Sequence, residues 1–156
     1  MTTNIQINKP ILQLGSQGAA VEELQSLICT FFRAPYIPVD GIFGTRTEIT
    51  VKEMQERFFL TSDGIVGAKT WRALIARKNE YLPVLKIGSQ GDLVHKVQTR
   101  LAINDFVVGS IDGIFGAKTE AGVKQFQASR SIKADGIIGS QTWIQLSYLY
   151  PYLSGI

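Results

Sequence analysis

DGIFGAKT, from Asp112 to Thr119, is one of four copies of a single phrase. DGIFGTRT spans Asp40 to Thr47, DGIVGAKT Asp63 to Thr70, and DGIIGSQT Asp135 to Thr142. The common pattern is Asp-Gly-Ile-x-Gly-x-x-Thr. Asp-Gly marks a turn, because glycine accepts positive φ and aspartate can bond its own backbone. The second glycine ends the turn just before a helix. The threonine then falls in the first helical turn, where its hydroxyl can meet a free amide or carbonyl. Each copy therefore predicts a turn, a buried apolar pair and a helix start. Four copies predict a repeated architecture.

Working outward, PILQLGSQGAAVEELQSLI begins at Pro10 and PVLKIGSQGDLVHKVQTRL at Pro83, an offset of 73 residues. Gly-Ser-Gln-Gly precedes an amphipathic segment in both. Val21, Leu24, Leu27 and Ile28 follow helical spacing, as do Val94, Val97 and Leu101. Ser89 and Asp92 suggest an N-cap pair close to a capping box, which Ser16 followed by Ala19 lacks. A loop follows, broken by Pro35 and Pro38 in the first unit. The first DGI turn then starts a second helix, with Val51, Met54 and Phe58 matched by Val123 and Phe126. The second DGI turn starts a third, with Trp71, Leu74 and Ile75 matched by Trp143 and Leu146. A short extended pair before Asp40 or Asp112 is compatible with the pattern; a real sheet is not.

The expected fold is all-α: two tandem small three-helix bundles. Residues 1–9 read as a polar tail, 10–78 as the first domain and 79–82 as a linker. Residues 83–150 read as the second domain and 151–156 as a C-terminal tail, whose aromatic-rich approach from Ser147 could pack back on a domain. Half of a 156-residue chain is near the lower size limit for independent folding.

A net charge of +3 and a pI near 9.1 permit an anionic partner without demanding one. The basic residues are dispersed among acids, so no nucleic-acid arm is expected. Cys29 is the single cysteine and His95 the single histidine. They allow neither an internal disulfide nor a Cys-based zinc site. Cys29 is expected to pack as a small apolar residue and His95 to be solvated. No apolar run is long enough to span a bilayer. The start, MTTNIQINKP, does not read as a secretory signal. Cytoplasmic residence, an unusual export route and a leader already removed all stay open.

These residues resemble the peptidoglycan-binding domain family, small three-helix modules found beside bacterial cell-wall hydrolases. In the second unit the resemblance rests on Leu85, Gly88, Ser89, Gly91, Val94, Val97-Gln98, Ile111 to Gly116, Thr119, Val123, Phe126-Gln127, Asp135-Gly136, Gly139, Thr142-Trp143 and Leu146. In the first it rests on Leu24-Gln25, Val39 to Gly44, Thr47, Val51, Gln55, Asp63-Gly64, Gly67, Thr70-Trp71 and Leu74. The first unit departs at Thr50, where alanine is usual, at Met54 for phenylalanine, and at Phe59, where glycine often ends helix two. The resemblance runs from about Pro10 to Leu146. It implies non-catalytic binding of a muropeptide or glycan portion of the wall, with avidity from two weak sites on a repeating polymer. It also implies a cell-envelope location, peptidoglycan as partner, and a wall hydrolase or envelope protein as a further one. The alternative from another class is an assembly module that reuses the fold without a wall ligand.

The implied groove lies between the DGIFG turn, the start of helix two and helix three. Its candidate ligand-binding residues are Asp40, Phe43, Arg46, Gln55, Trp71, Asp112, Phe115, Lys118, Gln127 and Trp143. Each has a plainer reading. Phe43 and Phe115 can plug the core, and Trp71 and Trp143 can anchor it. Asp40 and Asp112 can serve only their own turns, and Arg46 and Lys118 can be merely solvated. As a functional pair, these two cations would meet a peptide carboxylate at a helix start. Gln25, Gln98, Gln55 and Gln127 recur at equivalent places, where an amide can bond an N-acetyl group, a peptide backbone or a loop.

No catalytic residue, metal site or cofactor is expected. Zinc hydrolases need several His, Asp or Glu ligands. A cysteine transpeptidase pairs its thiol with a histidine, and Cys29 has none in sequence. A glycosidase needs two carboxylates across a cleft, whereas Glu53, Glu56 and Glu120 fall on polar helix faces. The DGIxG turns also lack the lysine placement and preceding strand of a nucleotide loop.

Overall fold

The computed structural model describes residues 7–32 and 37–149, with the side chain of Phe32 outside that description. The chain divides into two units between Asn79 and Glu80. Among the described residues there are six helices and no strand. Unit 1 holds α1 (Ala19–Phe32), α2 (Thr45–Arg57) and α3 (Ala68–Ala76). Unit 2 holds α4 (Asp92–Ile103), α5 (Ala117–Ser129) and α6 (Ser140–Tyr148). Most helix-period residues form the cores, although Ile75 is exposed and Leu27 only partly buried. Val21, Leu24 and Ile28 of α1, Val51 and Met54 of α2, and Trp71 and Leu74 of α3 are all buried. Val94, Val97, Leu101, Val123, Phe126, Trp143 and Leu146 do the same in unit 2.

Both tryptophans sit inside, at 0% and 5% exposure for Trp71 and Trp143. Burying one indole removes about 150–250 Å² from water, roughly 4–6 kcal/mol of gross driving force. Each indole N–H also ties down the start of its unit: Trp71 Nε1 donates to the Pro10 carbonyl (2.9 Å) and Trp143 Nε1 to that of Pro83 (2.8 Å). The segment after each proline then zips against both turns of its unit. Leu12 exchanges two backbone bonds with Val66 (3.1 and 2.8 Å), Gly15 donates to Phe43 (3.0 Å) and Phe43 to Ser16 (2.9 Å). Leu85 with Ile138, Gly88 with Phe115 and Phe115 with Ser89 repeat this in unit 2. The extended pairing therefore brings 12 to 66, 17 to 42, 85 to 138 and 90 to 114 as isolated bridges.

Several expectations change. The Ser89–Asp92 cap is replaced by Gly91 at φ 123°, with no side-chain cap bond. Ser89 Oγ instead accepts from Lys86 N (3.0 Å), as Ser16 Oγ does from Gln13 N (3.0 Å), so both serines fasten the turn before the helix. Helix α1 runs on through Phe32, taking in residues expected in the loop. The buried apolar pair of each turn is half right. Phe43, Val66, Phe115 and Ile138 are buried, but Ile42, Ile65, Ile114 and Ile137 are exposed. Adjacent residues of extended backbone point to opposite sides, and the bridges fix which side is in.

Residues 7–9 lie against unit 1. Ile7 packs on its core, and Lys9 pairs with Glu23 (2.6 Å) and sits over the Trp71 ring. At the other boundary, Asn79 Nδ2 donates to the Phe58 carbonyl (3.1 Å). The C-terminal segment from Tyr150 lies outside the described residues. No helix among those described is long and apolar enough to cross a membrane.

Candidate functional site

Each of the four turns is fastened by one buried glutamine. In unit 1, Gln25 of α1 serves the turn before α2. Its Nε2 reaches Asp40 Oδ1 (3.1 Å), the Ile42 carbonyl (3.0 Å) and Thr47 Oγ1 (3.2 Å). Its Oε1 accepts from the amides of Asp40 and Gly41, both at 3.0 Å. Gln55 of α2 does the same for the turn before α3, reaching Asp63 Oδ1, the Ile65 carbonyl and Thr70 Oγ1 and accepting from Gly64 N. Gln98 and Gln127 repeat both arrangements in unit 2. All four glutamines are at most 1% exposed. A buried amide is tolerable only when its donors and acceptors are matched, and here the turn backbone matches them.

The aspartates complete the clamp. Asp40 Oδ1 accepts from Ile42 N (3.0 Å) and Asp112 Oδ1 from Ile114 N (2.9 Å). These backbone bonds, followed by the Gln25 and Gln98 amides, hold both carboxyls below the usual aspartate range. Ile137 N does the same for Asp135, helped by Gln127 and the charge of Lys133. The threonine of each phrase is the third residue of its helix and accepts from the glutamine. The first glycine of each turn takes φ between 72° and 75°, a region that costs other residues. Around Gly113 a side chain would also be tight, since an added Cβ would lie 3.2 Å from the Gly91 carbonyl oxygen.

The ten candidate residues therefore separate. Phe43, Phe115, Trp71 and Trp143 lie in the cores, and Gln55 and Gln127 lie beneath the turns. Asp40 and Asp112 are exposed but bonded into their own turns. Arg46 and Lys118 are exposed near the starts of α2 and α5. The Lys118 stem covers Gly109, where an added Cβ would fall 2.9 Å from Lys118 Cδ.

What sequence reasoning missed is the outer side of the turns. Ile42 and Ile114 are 52% and 50% exposed, and Ile65 and Ile137 are exposed as well. Ile11 and Leu14 in unit 1, and Val84 and Ile87 in unit 2, are exposed as well, on the segments that bridge to these turns. In each unit the bridged segments thus carry four exposed aliphatic side chains at matching positions, an aliphatic strip interrupted by Gln17 and Gln90, which face Ile42 and Ile114 across their bridges. The signal was the isoleucine after every Asp-Gly, read as core because it is apolar.

A different feature distinguishes the units. In unit 1 a cleft of about 280 Å³ opens between α1 and α3, lined by Leu27, Phe31, Leu74 and Ile75 with Glu23 and Arg77 beside them. None of the ten candidates lines it. In unit 2, Arg100 stands where unit 1 has Leu27. It is buried and donates from Nη1 to the Leu146 carbonyl (3.2 Å), while Asn104 donates to that of Leu149 (3.2 Å), itself buried. Among the described residues no group of three or more His, Cys, Asp or Glu converges to hold a metal ion.

Comparison with known proteins places this arrangement. N-acetylmuramoyl-L-alanine amidase CwlL of Bacillus licheniformis is 34% identical over 89% of the chain and 46% of its own length. N-acetylmuramoyl-L-alanine amidase CwlM of Mycobacterium tuberculosis is 28% identical over 92% of the chain and 39% of its own length. The chain thus spans less than half of these relatives. A solved SleB N-terminal domain is 32% identical, covering 44% of this chain and 94% of that domain at a TM-score of 0.43. The family described as "Putative peptidoglycan binding domain" matches twice, at residues 17–74 and 90–146. The chain belongs to the peptidoglycan-binding domain family, in two tandem copies.

Proposed function

We propose that the chain binds bacterial cell-wall peptidoglycan without cleaving it, through two like units that engage one repeating polymer together. The observation that carries this is the doubling itself: both units match the family and repeat the same clamped turns. In this reading Arg46 and Lys118 touch the ligand. Phe43, Gln55, Trp71, Phe115, Gln127 and Trp143 hold the surface in shape from beneath, and the exposed Asp40 and Asp112 fasten their own turns. The place of action is the cell wall, and a wall hydrolase is the natural catalytic partner. Two weak sites on one chain gain affinity because the second engagement is intramolecular.

Sedimentation of the intact chain with purified sacculi tests the proposal, with turbidity followed in parallel. Retention without clearing is the expected outcome. A chain left in the supernatant would refute binding, and progressive clearing would refute the non-catalytic role. A second reading, an assembly module that captures a protein, is favoured by the apolar cleft between α1 and α3 of unit 1. It predicts that filling the cleft by Ser26→Trp leaves sacculus retention intact and abolishes capture of a partner.

A further inference from the structure

We propose that the outward aliphatic strip on the clamped turns is the ligand floor of each unit, and that it takes the stem peptide of peptidoglycan, not the sugar strand. The proposal rests on the wall-binding reading above and goes on to name the part of the polymer and the surface that meets it.

The strip is fixed in place. Ile42 pairs with Gln17 and Ile114 with Gln90 across antiparallel bridges. The carbonyls of Ile42 and Ile114 are held from inside by Gln25 and Gln98 at 3.0 Å. The backbone beneath each isoleucine is therefore tied from both sides, and its side chain is aimed outward. The turn isoleucines leave 40–52% of their surface in water, yet the same four positions are aliphatic in both units. Their near neighbours are not so restricted: Gln13 answers Lys86, and Thr45 answers Ala117.

Chemistry selects the occupant. Sugar rings are gripped through their C–H faces by exposed aromatic planes, and the aromatics within these turns and at the helix starts after them are spent in the core. Phe43 and Phe115 are each 1% exposed, and both tryptophans are buried. Branched aliphatic shelves suit methyl groups instead. The stem peptide is built largely from L- and D-alanine, and it carries free carboxylates on its γ-linked glutamate and at its end. Cations complement those carboxylates. Arg46 and Lys118, both exposed, each follow an outward isoleucine by four residues, Ile42 and Ile114, at the starts of α2 and α5. The net charge of +3 has the same sign. An apolar floor with a cationic edge fits an anionic, methyl-rich peptide.

The test uses the intact chain with 13C-labelled isoleucine methyls. One probe is the sugar-free stem pentapeptide L-Ala–γ-D-Glu–diaminopimelate–D-Ala–D-Ala. The other is glycan stripped of peptide by an amidase. The pentapeptide should shift the methyls of Ile42, Ile65, Ile114 and Ile137, and stripped glycan should leave them in place. The double variant Ile42→Gln/Ile114→Gln should stay folded, with its melting temperature lowered by a few degrees at most, because about half of each side chain is already exposed. Its retention on sacculi should fall by roughly tenfold or more. Glycan shifting these methyls while the pentapeptide does not would overturn the choice of occupant. Full retention of the double variant, with silent methyls, would overturn the location and leave wall binding standing. Failure of the parent chain to sediment would overturn both.

Discussion

Replacing Gln98 by alanine removes one side chain and unfastens a whole turn. In the parent its Oε1 accepts from Gly113 N (2.8 Å) and Asp112 N (3.1 Å), and its Nε2 serves Asp112, Ile114 and Thr119. Gly113 and Thr119 are buried, so water cannot take over there, whereas Asp112 and Ile114 are exposed. An orphaned buried amide costs roughly 1–3 kcal/mol. The void left by a fully buried side chain and the weakened threonine bring the loss to roughly 3–5 kcal/mol. A unit of this size holds roughly 4–12 kcal/mol in total. The melting transition of unit 2 should therefore fall by roughly 15–30 °C, and hydrogen exchange at Gly113 should rise with it. Gln98→Glu separates polarity from shape. The new carboxylate keeps the acceptor and the volume but cannot donate to Asp112 when ionised. Burial and the neighbouring charge raise its folded pKa. Its penalty is thus absent below the unfolded glutamate value of about 4.3, grows as pH rises, and is complete above the folded pKa. Calorimetry of both variants at pH 4 and pH 7 reads this out. A loss of under about 3 °C for the alanine variant, or a penalty for the glutamate variant that ignores pH, would refute the clamp.

Gly122→Ala should destabilise unit 2, although alanine is the better helix former by about 1 kcal/mol. The added methyl would meet the Val107 carbonyl oxygen and Val108 Cγ1 at 2.6 Å, and thermal melting gives the sign. Ser131→Gly should do the opposite: Ser131 is exposed at φ 56° after α5. Relief of the left-handed backbone is worth roughly 0.5–1 kcal/mol, read as a higher denaturant midpoint. The depressed carboxyls of Asp40, Asp112 and Asp135 contribute stability that is present above the unfolded aspartate pKa. It is lost as pH falls through their lower folded values, so acid unfolding should set in below about pH 4. Asp112→Asn should flatten that dependence in a melting series from pH 2 to pH 7.

Helices and units were legible because their signals are local. The threonine of every phrase lands at the third residue of its helix, and the apolar spacing of Val21, Leu24 and Ile28 faces inward as written. What stayed hidden depends on pairing across the chain. Gln25 and Asp40 are 15 residues apart, yet Gln55 and Asp63 are 8 apart, so one role is spelled at two spacings. A usable trace existed nonetheless: four turns and one recurrent glutamine ahead of each. Phe59 shows the reverse. Glycine was expected where helix two ends, and the backbone there does take φ 58°. The phenylalanine stays in that conformation because its side chain is buried, and Ser131 occupies the matching place at φ 56°.

The clamp also explains why the outward side of the turn is available to a ligand. A tight turn commonly presents its polar atoms to water, because they have no other partner. Here the buried glutamine gathers the turn's amides, the isoleucine carbonyl and the threonine toward the interior. What remains outside is the aliphatic side chain, beside an aspartate already bonded to its own turn. A shape held from within loses little freedom when something docks on it, and a weak contact then keeps more of its gross energy. One binding unit of this kind would still release its ligand readily. Two on a repeating polymer would not, provided both strips engage. Ile42→Gln or Ile114→Gln alone should therefore lose most of the retention that the double variant loses. If Ile42→Gln had no effect while Ile114→Gln abolished binding, unit 2 would be acting alone and the duplication would need another explanation.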